Sequence, residues 1–191
     1  MKVLTLTDKD FAEAARRLKE KVSARGIEYD LLVGIATGGE FVADEFDFAP
    51  TYSVKKQRAS SEKKEVIAAK ILPLLPRWVC NLLRIAEAKW LERSHRKINK
   101  DDIESAFIPE DLKESIGAGN FKRILVVDDA VDSGETLLSV VKGIKELWAD
   151  LQIYTAVMTV TTKRPLIRPD VTLWNDGTLI RFPWSKDMKK R

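Results

Sequence analysis

Apolar positions alternate from Val3 to Leu6, the pattern of a short strand. Thr7 or Asp8 then offers an N-cap oxygen. Phe11, Ala14, Ala15, Leu18 and Val22 recur at helical spacing, and Gly26 ends that helix. The run from Asp30 to Ile35 is continuous and apolar, as in a strand buried on both faces. Gly38 and Gly39 predict a turn, Glu40 to Phe46 the start of a helix, and Thr51 to Val54 another strand.

From Lys55 to about Gly117 the pattern changes to helical periodicity with much charge and little strand signal. Ile67, Ile71 and Leu74 make one stripe. Val79, Leu82, Leu83, Ala86 and Trp90 make a second, with Pro73 and Pro76 between the two helices. A shorter helix follows Asp101. Alternation of strand and helix returns at Phe121. Ile124 to Val127 predicts a buried strand and Thr136 to Trp148 a helix, with Leu137, Val140, Val141, Ile144 and Leu147 inward. Ile153 to Val160 and Thr178 to Phe182 predict two more strands. Strands that alternate with helices imply an α/β fold, a mostly parallel twisted sheet flanked by helices. The expected organisation is one domain over 1–191 with a helical insertion at about 61–117.

A chain of 191 residues, 45% hydrophobic and 32% charged, suits one domain with a full-sized core. No run approaches the ~18 consecutive apolar residues of a membrane span. The first residues lack a signal-peptide pattern, so a cytoplasmic location is expected. The single cysteine, Cys80, excludes an internal disulfide and a Cys-based zinc site, and its apolar helical setting predicts a buried thiol. The lone His95 stands in a charged stretch and reads as solvated surface. A net charge of +4 suits an anionic substrate as well as it suits nucleic acid.

The chemistry concentrates in Lys122 to Leu138, KRILVVDDAVDSGETLL. Four apolar residues end in adjacent carboxylates, Asp128 and Asp129. In an open α/β sheet, ligands bind beyond the carboxyl ends of strands, so these carboxylates stand at the mouth of the expected site. The loop after them carries Ser133, Gly134 and Thr136 where the next helix begins. Amides, hydroxyls and the helix dipole there favour a phosphate. Carboxylates beside a phosphate cradle make sense if they hold sugar hydroxyls or a magnesium ion, which commonly shares oxygen ligands with substrate phosphates. The segment lacks the Gly-Lys-Ser/Thr ending of a Walker loop and the G-x-G-x-x-G of a dinucleotide fingerprint. A buried strand followed by a solvated acidic turn is the plain alternative; an acidic phosphotransfer pocket would explain the carboxylates but not the Ser-Gly-x-Thr.

Val126 to Thr136, VVDDAVDSGET, resembles the 5-phosphoribosyl 1-pyrophosphate (PRPP) signature of the type I phosphoribosyltransferases. The resemblance implies that Asp128 and Asp129 hold the ribose hydroxyls, partly through magnesium. It implies that Asp132, Ser133, Gly134, Glu135 and Thr136 wrap the 5′-phosphate, and that Asp132 is a candidate proton acceptor near the base. Gly34 to Gly39, GIATGG, resembles the family's pyrophosphate loop. Many members carry a basic residue there and this chain has Thr37, so backbone amides around Gly38 and Gly39 would do the binding. Lys55, Lys56 and Arg58 fall where members have a mobile basic loop; a solvated loop is the plain alternative.

The tail, Arg164-Pro165-Leu166 and Leu179 to Trp184, resembles xanthine and xanthine-guanine phosphoribosyltransferases. Those place a tryptophan where Leu179 stands and a lysine near Val160. Trp174 and Lys163 lie close enough in sequence to substitute, with a core role as the alternative for Trp174. The implied reaction displaces pyrophosphate from PRPP by a nitrogen nucleophile, in a homodimeric enzyme. The alternatives are a PRPP or nucleotide sensor without turnover and a nucleic-acid-linked regulator, the latter not favoured. The insertion would serve as a hood over the site or as a dimerisation surface.

Overall fold

The computed structural model describes residues 2–55, 75–94, 98–119 and 121–188. Lys56, Arg58, His95 and the stripe Ile67, Ile71 and Leu74 lie outside them. A five-stranded parallel sheet has the order β3-β2-β4-β5-β6. Its strands are β2 (Leu31–Ile35), β3 (Thr51–Val54), β4 (Arg123–Val131), β5 (Gln152–Val160) and β6 (Val171–Trp174). The sheet class is therefore the one expected from the strand–helix alternation. The most apolar runs take the interior: all of Leu31 to Ile35 and Ile124 to Val127 are buried.

Two cores lie on opposite faces. Leu125 and Val127 pack on one with helix α1 (Asp8–Ala24) and helix α2 (Gly38–Asp44), through Phe11, Leu18, Val42 and Phe46. Ile124 and Val126 pack on the other with helix α4 (Glu110–Ala118) and helix α5 (Glu135–Leu147), through Leu112, Ile116, Val140 and Ile144. Helix α1 begins as its sequence dictates. Thr7 accepts from the Asp10 N–H at 3.2 Å while Asp10 accepts from the Thr7 N–H at 3.0 Å, a reciprocal cap.

Three local expectations change, and one strand was not expected. Gly38 and Gly39 form the first turn of α2 rather than a separate turn. Strand β4 continues through Asp128 and Asp129 to Val131, because parallel pairing with β5 resumes at Ala130↔Thr159 and Val131↔Val160. Leu147, in the last turn of α5, is exposed, and the inward face includes Ser139 and Gly143. The edge strand β6, only four residues with one fully buried, had no periodic signal.

The final strand, β7 (Leu179–Arg181), leaves the main sheet. It pairs in parallel with β1 (Val3–Thr5) in a separate two-stranded sheet, with Val3↔Leu179 and Thr5↔Arg181. Helix α3 (Arg77–Ser94) covers it. Much of the apolar stripe on α3 faces outward: Leu82, Leu83 and Trp90 are exposed, whereas Cys80 is buried and Arg84 half-buried. The reason is a polar inner face. Arg181 donates to Asp187 at 2.8 Å, to Thr5 at 2.8 Å and to Asn81 at 2.6 Å. Arg84 donates to Asp187 at 2.5 and 3.1 Å and to the Ile180 carbonyl. Within the 61–117 stretch, Ala106 to Ile116 instead belongs to the second core, with the Ala106 N–H bonded to the Ser139 carbonyl. Among the described residues no helix is long and apolar enough to cross a membrane.

Candidate functional site

The site begins where the pleat of β4 slips. Up to Val127, odd positions face the first core and even positions the second. Beyond Asp129 the phase reverses, with Ala130 on the first core and Val131 on the second. The β4–β5 register correspondingly runs to Asp128↔Val157 and resumes at Ala130↔Thr159. The two carboxylates thus occupy an irregular strand end in the middle of the sheet. Asp128 is buried and accepts the Asp129 N–H at 2.8 Å.

Burial pushes the Asp129 carboxyl above its ordinary value, and the nearby Asp132 charge adds to this. Hydrogen bonds with Asp128, from the Ala130 N–H and from the Trp184 indole oppose it. Trp184 is a functional neighbour that the sequence reading left in the tail motif. Its ring stacks on Phe182 at 4.9 Å, meets Phe11 edge-on at 4.9 Å and lies 4.5 Å from Phe41. This aromatic group joins α1, α2 and the end of β7 around one carboxylate.

The loop after β2 closes on the same point. A Cβ on Gly38 would overlap the Asp129 carboxylate, and a Cβ on Gly39 would lie 2.5 Å from the Val127 carbonyl oxygen and 3.1 Å from Asp128 Cα. Only backbone without side chains fits between α2 and β4. The Ala36–Thr37 peptide is cis, and Thr37 is exposed at the rim. Lys55 is exposed just past β3, beside this loop, since the Ala36 N–H bonds to the Val54 carbonyl at 3.0 Å. The two distant segments singled out in the sequence therefore meet in one place.

Asp132, Ser133 and Gly134 turn from β4 into α5. Gly134 has a φ of 82°, and the Glu135 N–H is held by Ser133 Oγ at 3.2 Å. The segment after β5 braces this loop: the Leu166 N–H donates to the Ser133 carbonyl at 2.7 Å. Thr161 Oγ1 donates to Asp132 Oδ1 at 2.5 Å, and its N–H donates to the Val131 carbonyl at 3.0 Å. Thr161 is a second neighbour with no sequence signal, because its role arises from β5 lying beside β4. Glu135 and Thr136 open the thirteen-residue helix α5, whose N-terminus adds a favourable field for an anion.

The remaining expected residues lie elsewhere. Leu179 is buried at the start of β7 and, two residues from Arg181, shares the side of the strand that α3 covers. Val160 is buried in the second core, and Lys163 is exposed with its carbonyl bonded to Arg168. Trp174 lines a cleft of about 380 Å³ with Arg17, Glu20, Lys21, Ala24 and Leu173, against α1.

The side chains here that could hold a divalent cation are Asp128 and Asp129. No group of three or more His, Cys, Asp or Glu suited to a metal forms among the described residues. Two adjacent carboxylates at a strand end suit magnesium, which keeps several waters and takes one or two carboxylates plus substrate phosphates. They do not make a closed all-protein cage.

Residues 3–185 match the family described as phosphoribosyl transferase domain. No curated protein matches. Among solved structures, a Helicobacter pylori xanthine-guanine-hypoxanthine phosphoribosyltransferase is 19% identical with a TM-score of 0.57, over 95% of this chain and 92% of that one. A purine phosphoribosyltransferase from Pyrococcus horikoshii is 18% identical with a TM-score of 0.55, over 97% and 95%. A hypothetical protein from Neisseria gonorrhoeae with bound ppGpp is 20% identical with a TM-score of 0.57, over 96% and 89%.

Proposed function

The chain belongs to the phosphoribosyl transferase domain family, whose members are pentosyl-transferring enzymes, and from that premise we propose that it binds PRPP with magnesium and displaces pyrophosphate with a nitrogen nucleophile. The observation that carries this reading is the meeting of two loops. Gly38 and Gly39 press against Asp129, Val127 and Asp128, while Asp132 to Gly134 lead into α5, which Glu135 and Thr136 open. Each part has a task that its chemistry suits. The α5 N-terminus with Ser133, Gly134, Glu135 and Thr136 binds the 5′-phosphate. Asp128 and Asp129 hold the ribose hydroxyls and the cation. The Thr37 to Gly39 backbone and Lys55 face the departing pyrophosphate, with Lys56 and Arg58 the next cations along the chain. Asp132, fixed by Thr161, is the candidate proton acceptor for the incoming nitrogen. Magnesium, when bound, supplies positive charge against the pyrophosphate.

The acceptor is a purine-like base. Leu179 supplies only an aliphatic contact, under α3, in place of a stacking ring. Turnover of xanthine, guanine and hypoxanthine is therefore slow relative to PRPP binding. A homodimer in the cytoplasm completes the reading. One observation favours a second role, nucleotide sensing at the same loops: a protein of this fold was solved with ppGpp. PRPP or ppGpp binding with no pyrophosphate released from PRPP in the presence of any base would support sensing over transfer.

Titration calorimetry with magnesium and PRPP tests the assignment. The double variant Asp128→Asn, Asp129→Asn should weaken binding by at least ~2 kcal/mol, since each substitution removes a charge-assisted interaction. Unchanged affinity in a folded double variant would overturn it.

A further inference from the structure

Trp184 ties the acidic pair to three rings from three different elements. Its indole stacks on Phe182 with an interplanar angle of 6°, meets Phe11 of α1 at 87° and lies tilted by 31° against Phe41 of α2. A tight turn sets it there. The Phe182 N–H donates to Ser185 Oγ at 3.0 Å, and the Ser185 N–H donates back to the Phe182 carbonyl at 3.0 Å. Pro183 takes the second position of that turn, where its fixed φ suits the backbone. A ring held by three others cannot rotate without losing those contacts, so its one donor, Nε1–H, keeps one direction. That donor bonds the Asp129 carboxylate. The same carboxylate lies against the α2 loop: a Cβ on Gly38 would stand 2.1 Å from Asp129 Oδ2 and 2.6 Å from Oδ1.

We propose that Trp184 is a positioning residue, whose clamped indole N–H fixes the orientation of the Asp129 carboxylate and leaves its remaining lone pairs to a magnesium ion. The inference rests on the reading that the acidic pair takes magnesium with PRPP. A carboxylate accepts along about four lone-pair directions. The Trp184 indole and the Ala130 N–H occupy part of that capacity on Asp129. Donors of this outer kind orient a metal-binding carboxylate, and their removal typically costs about 10–100-fold in metal affinity. A neutral donor suits the task better than a cation would. Lysine or arginine would orient the carboxylate but also offset its charge, whereas the indole leaves its full attraction for magnesium. The three rings supply the rigidity, and Trp184 acts on the reaction through Asp129.

Trp184→Phe keeps a ring among the neighbours and removes the donor. In calorimetric titrations of PRPP over a magnesium series, the magnesium concentration that supports half of the binding should rise about ten-fold. At saturating magnesium the PRPP affinity should return to the native value. A ring that only fills space would lower affinity equally at every magnesium concentration, or shift the urea midpoint alone; either result overturns the proposal. The hydrogen bond is read separately, without ligand, from the indole N–H signals of the isotope-labelled chain. Of its five tryptophans, the one whose signal disappears in Trp184→Phe is Trp184. That signal should move upfield in Asp129→Ala, and a signal that stays put overturns the proposal. Should Trp184→Phe fail to fold, Phe41→Leu takes its place, since Phe41 is 38% exposed and closes one side of the clamp. It should raise the magnesium requirement in the same direction, and an unchanged requirement overturns the proposal. A native chain that binds no PRPP at any magnesium concentration overturns the underlying reading instead, and does so before any variant is made.

Discussion

Asp129 and Asp187 are both carboxylates inside the fold, and their surroundings drive them in opposite directions. Burial raises the pKa of Asp129 and the charge of Asp132 adds to it, against hydrogen bonds with Asp128, the Ala130 N–H and the Trp184 indole. Burial acts on Asp187 as well. There, however, the Arg84 and Arg181 guanidiniums outweigh it and hold the carboxyl below its ordinary range. At the strand end under α2, no basic side chain among the described residues offsets the burial of Asp129. The other region, under α3, balances its charge twice over and is complete. An unbalanced carboxylate is costly unless something arrives to use it, which is why perturbed groups mark ligand sites. A doubly paired one holds two elements in register and points to no ligand.

The largest expected effect comes from breaking the balanced region. Asp187→Ala leaves Arg84 and Arg181 partly buried without their carboxylate, and removing one partner of a buried pair costs about 3–5 kcal/mol. Urea unfolding should show it directly; a loss below about 1 kcal/mol would mean water reaches the network. The same pair predicts a pH dependence. The Asp187 pKa is lower folded than unfolded, so its contribution is fully present above the unfolded value near ~4. It is lost as pH falls through the lower folded value. Native protein should therefore lose stability in that acid window more steeply than Asp187→Asn, which has no proton to gain.

Next in size is a substitution at the unbalanced region. Gly39→Ala places a methyl 2.5 Å from the Val127 carbonyl oxygen. Overpacking of this kind costs about 1–3 kcal/mol. Because the displaced atoms are those of the site, PRPP affinity should fall with stability. In Asp187→Ala, by contrast, any folded fraction should bind normally. Calorimetry on both variants separates the regions, and equal loss of affinity in the two would merge them.

Thr161→Val gives a smaller effect, on turnover alone. The hydroxyl bonded to Asp132 at 2.5 Å is lost with little change in shape. One hydrogen bond is worth roughly 1 kcal/mol, about a five-fold change. If Thr161 positions the proton acceptor, kcat should drop by that factor while the KM for PRPP holds. A fall in affinity with kcat intact would assign Thr161 to the phosphate loop instead.

The two regions also differ in how far the sequence disclosed them. Ile124 to Val127 followed by Asp128 and Asp129 is a local pattern. A buried strand with acids at its end needs no distant partner to be recognised, and GIATGG after an earlier strand is equally local. The network of Arg84, Arg181, Asp187, Asn81 and Thr5 has members up to 182 residues apart. No spacing announces it. The same gap inverted α3. Periodicity locates an apolar stripe on a helix, but which face turns inward is decided by whatever the helix meets. Here that is Asp187 and the Ile180 carbonyl, which draw in Arg84 and leave the tryptophans outside. Trp184 and Thr161 were missed at the site for a related reason: their contacts are made across strands and loops.

The smallest effect sharpens the comparison from outside both regions. Trp174 was a candidate base-stacking ring because of its place in the sequence, but its side chain belongs to a third environment. It packs on the first core and lines the cleft with Arg17, Glu20, Lys21 and Ala24. The aromatic group at Asp129 meets α1 at Phe11, near the other end of that helix. At 1.5 Å per residue, Arg17 lies about 9 Å further along the axis and Ala24 about 20 Å. A ring facing that part of α1 points away from the acidic pair. Trp174→Ala should thus leave both PRPP affinity and the KM for any working base within about two-fold, against the ~1–3 kcal/mol that a stacking ring is worth. Its cost should appear only in the unfolding midpoint, as lost packing on the first core. A KM for the base that rises ten-fold or more, at unchanged PRPP affinity, would place the acceptor between Trp174 and the sheet. Leu179 and the α3 side of β7 would then have no part in holding it.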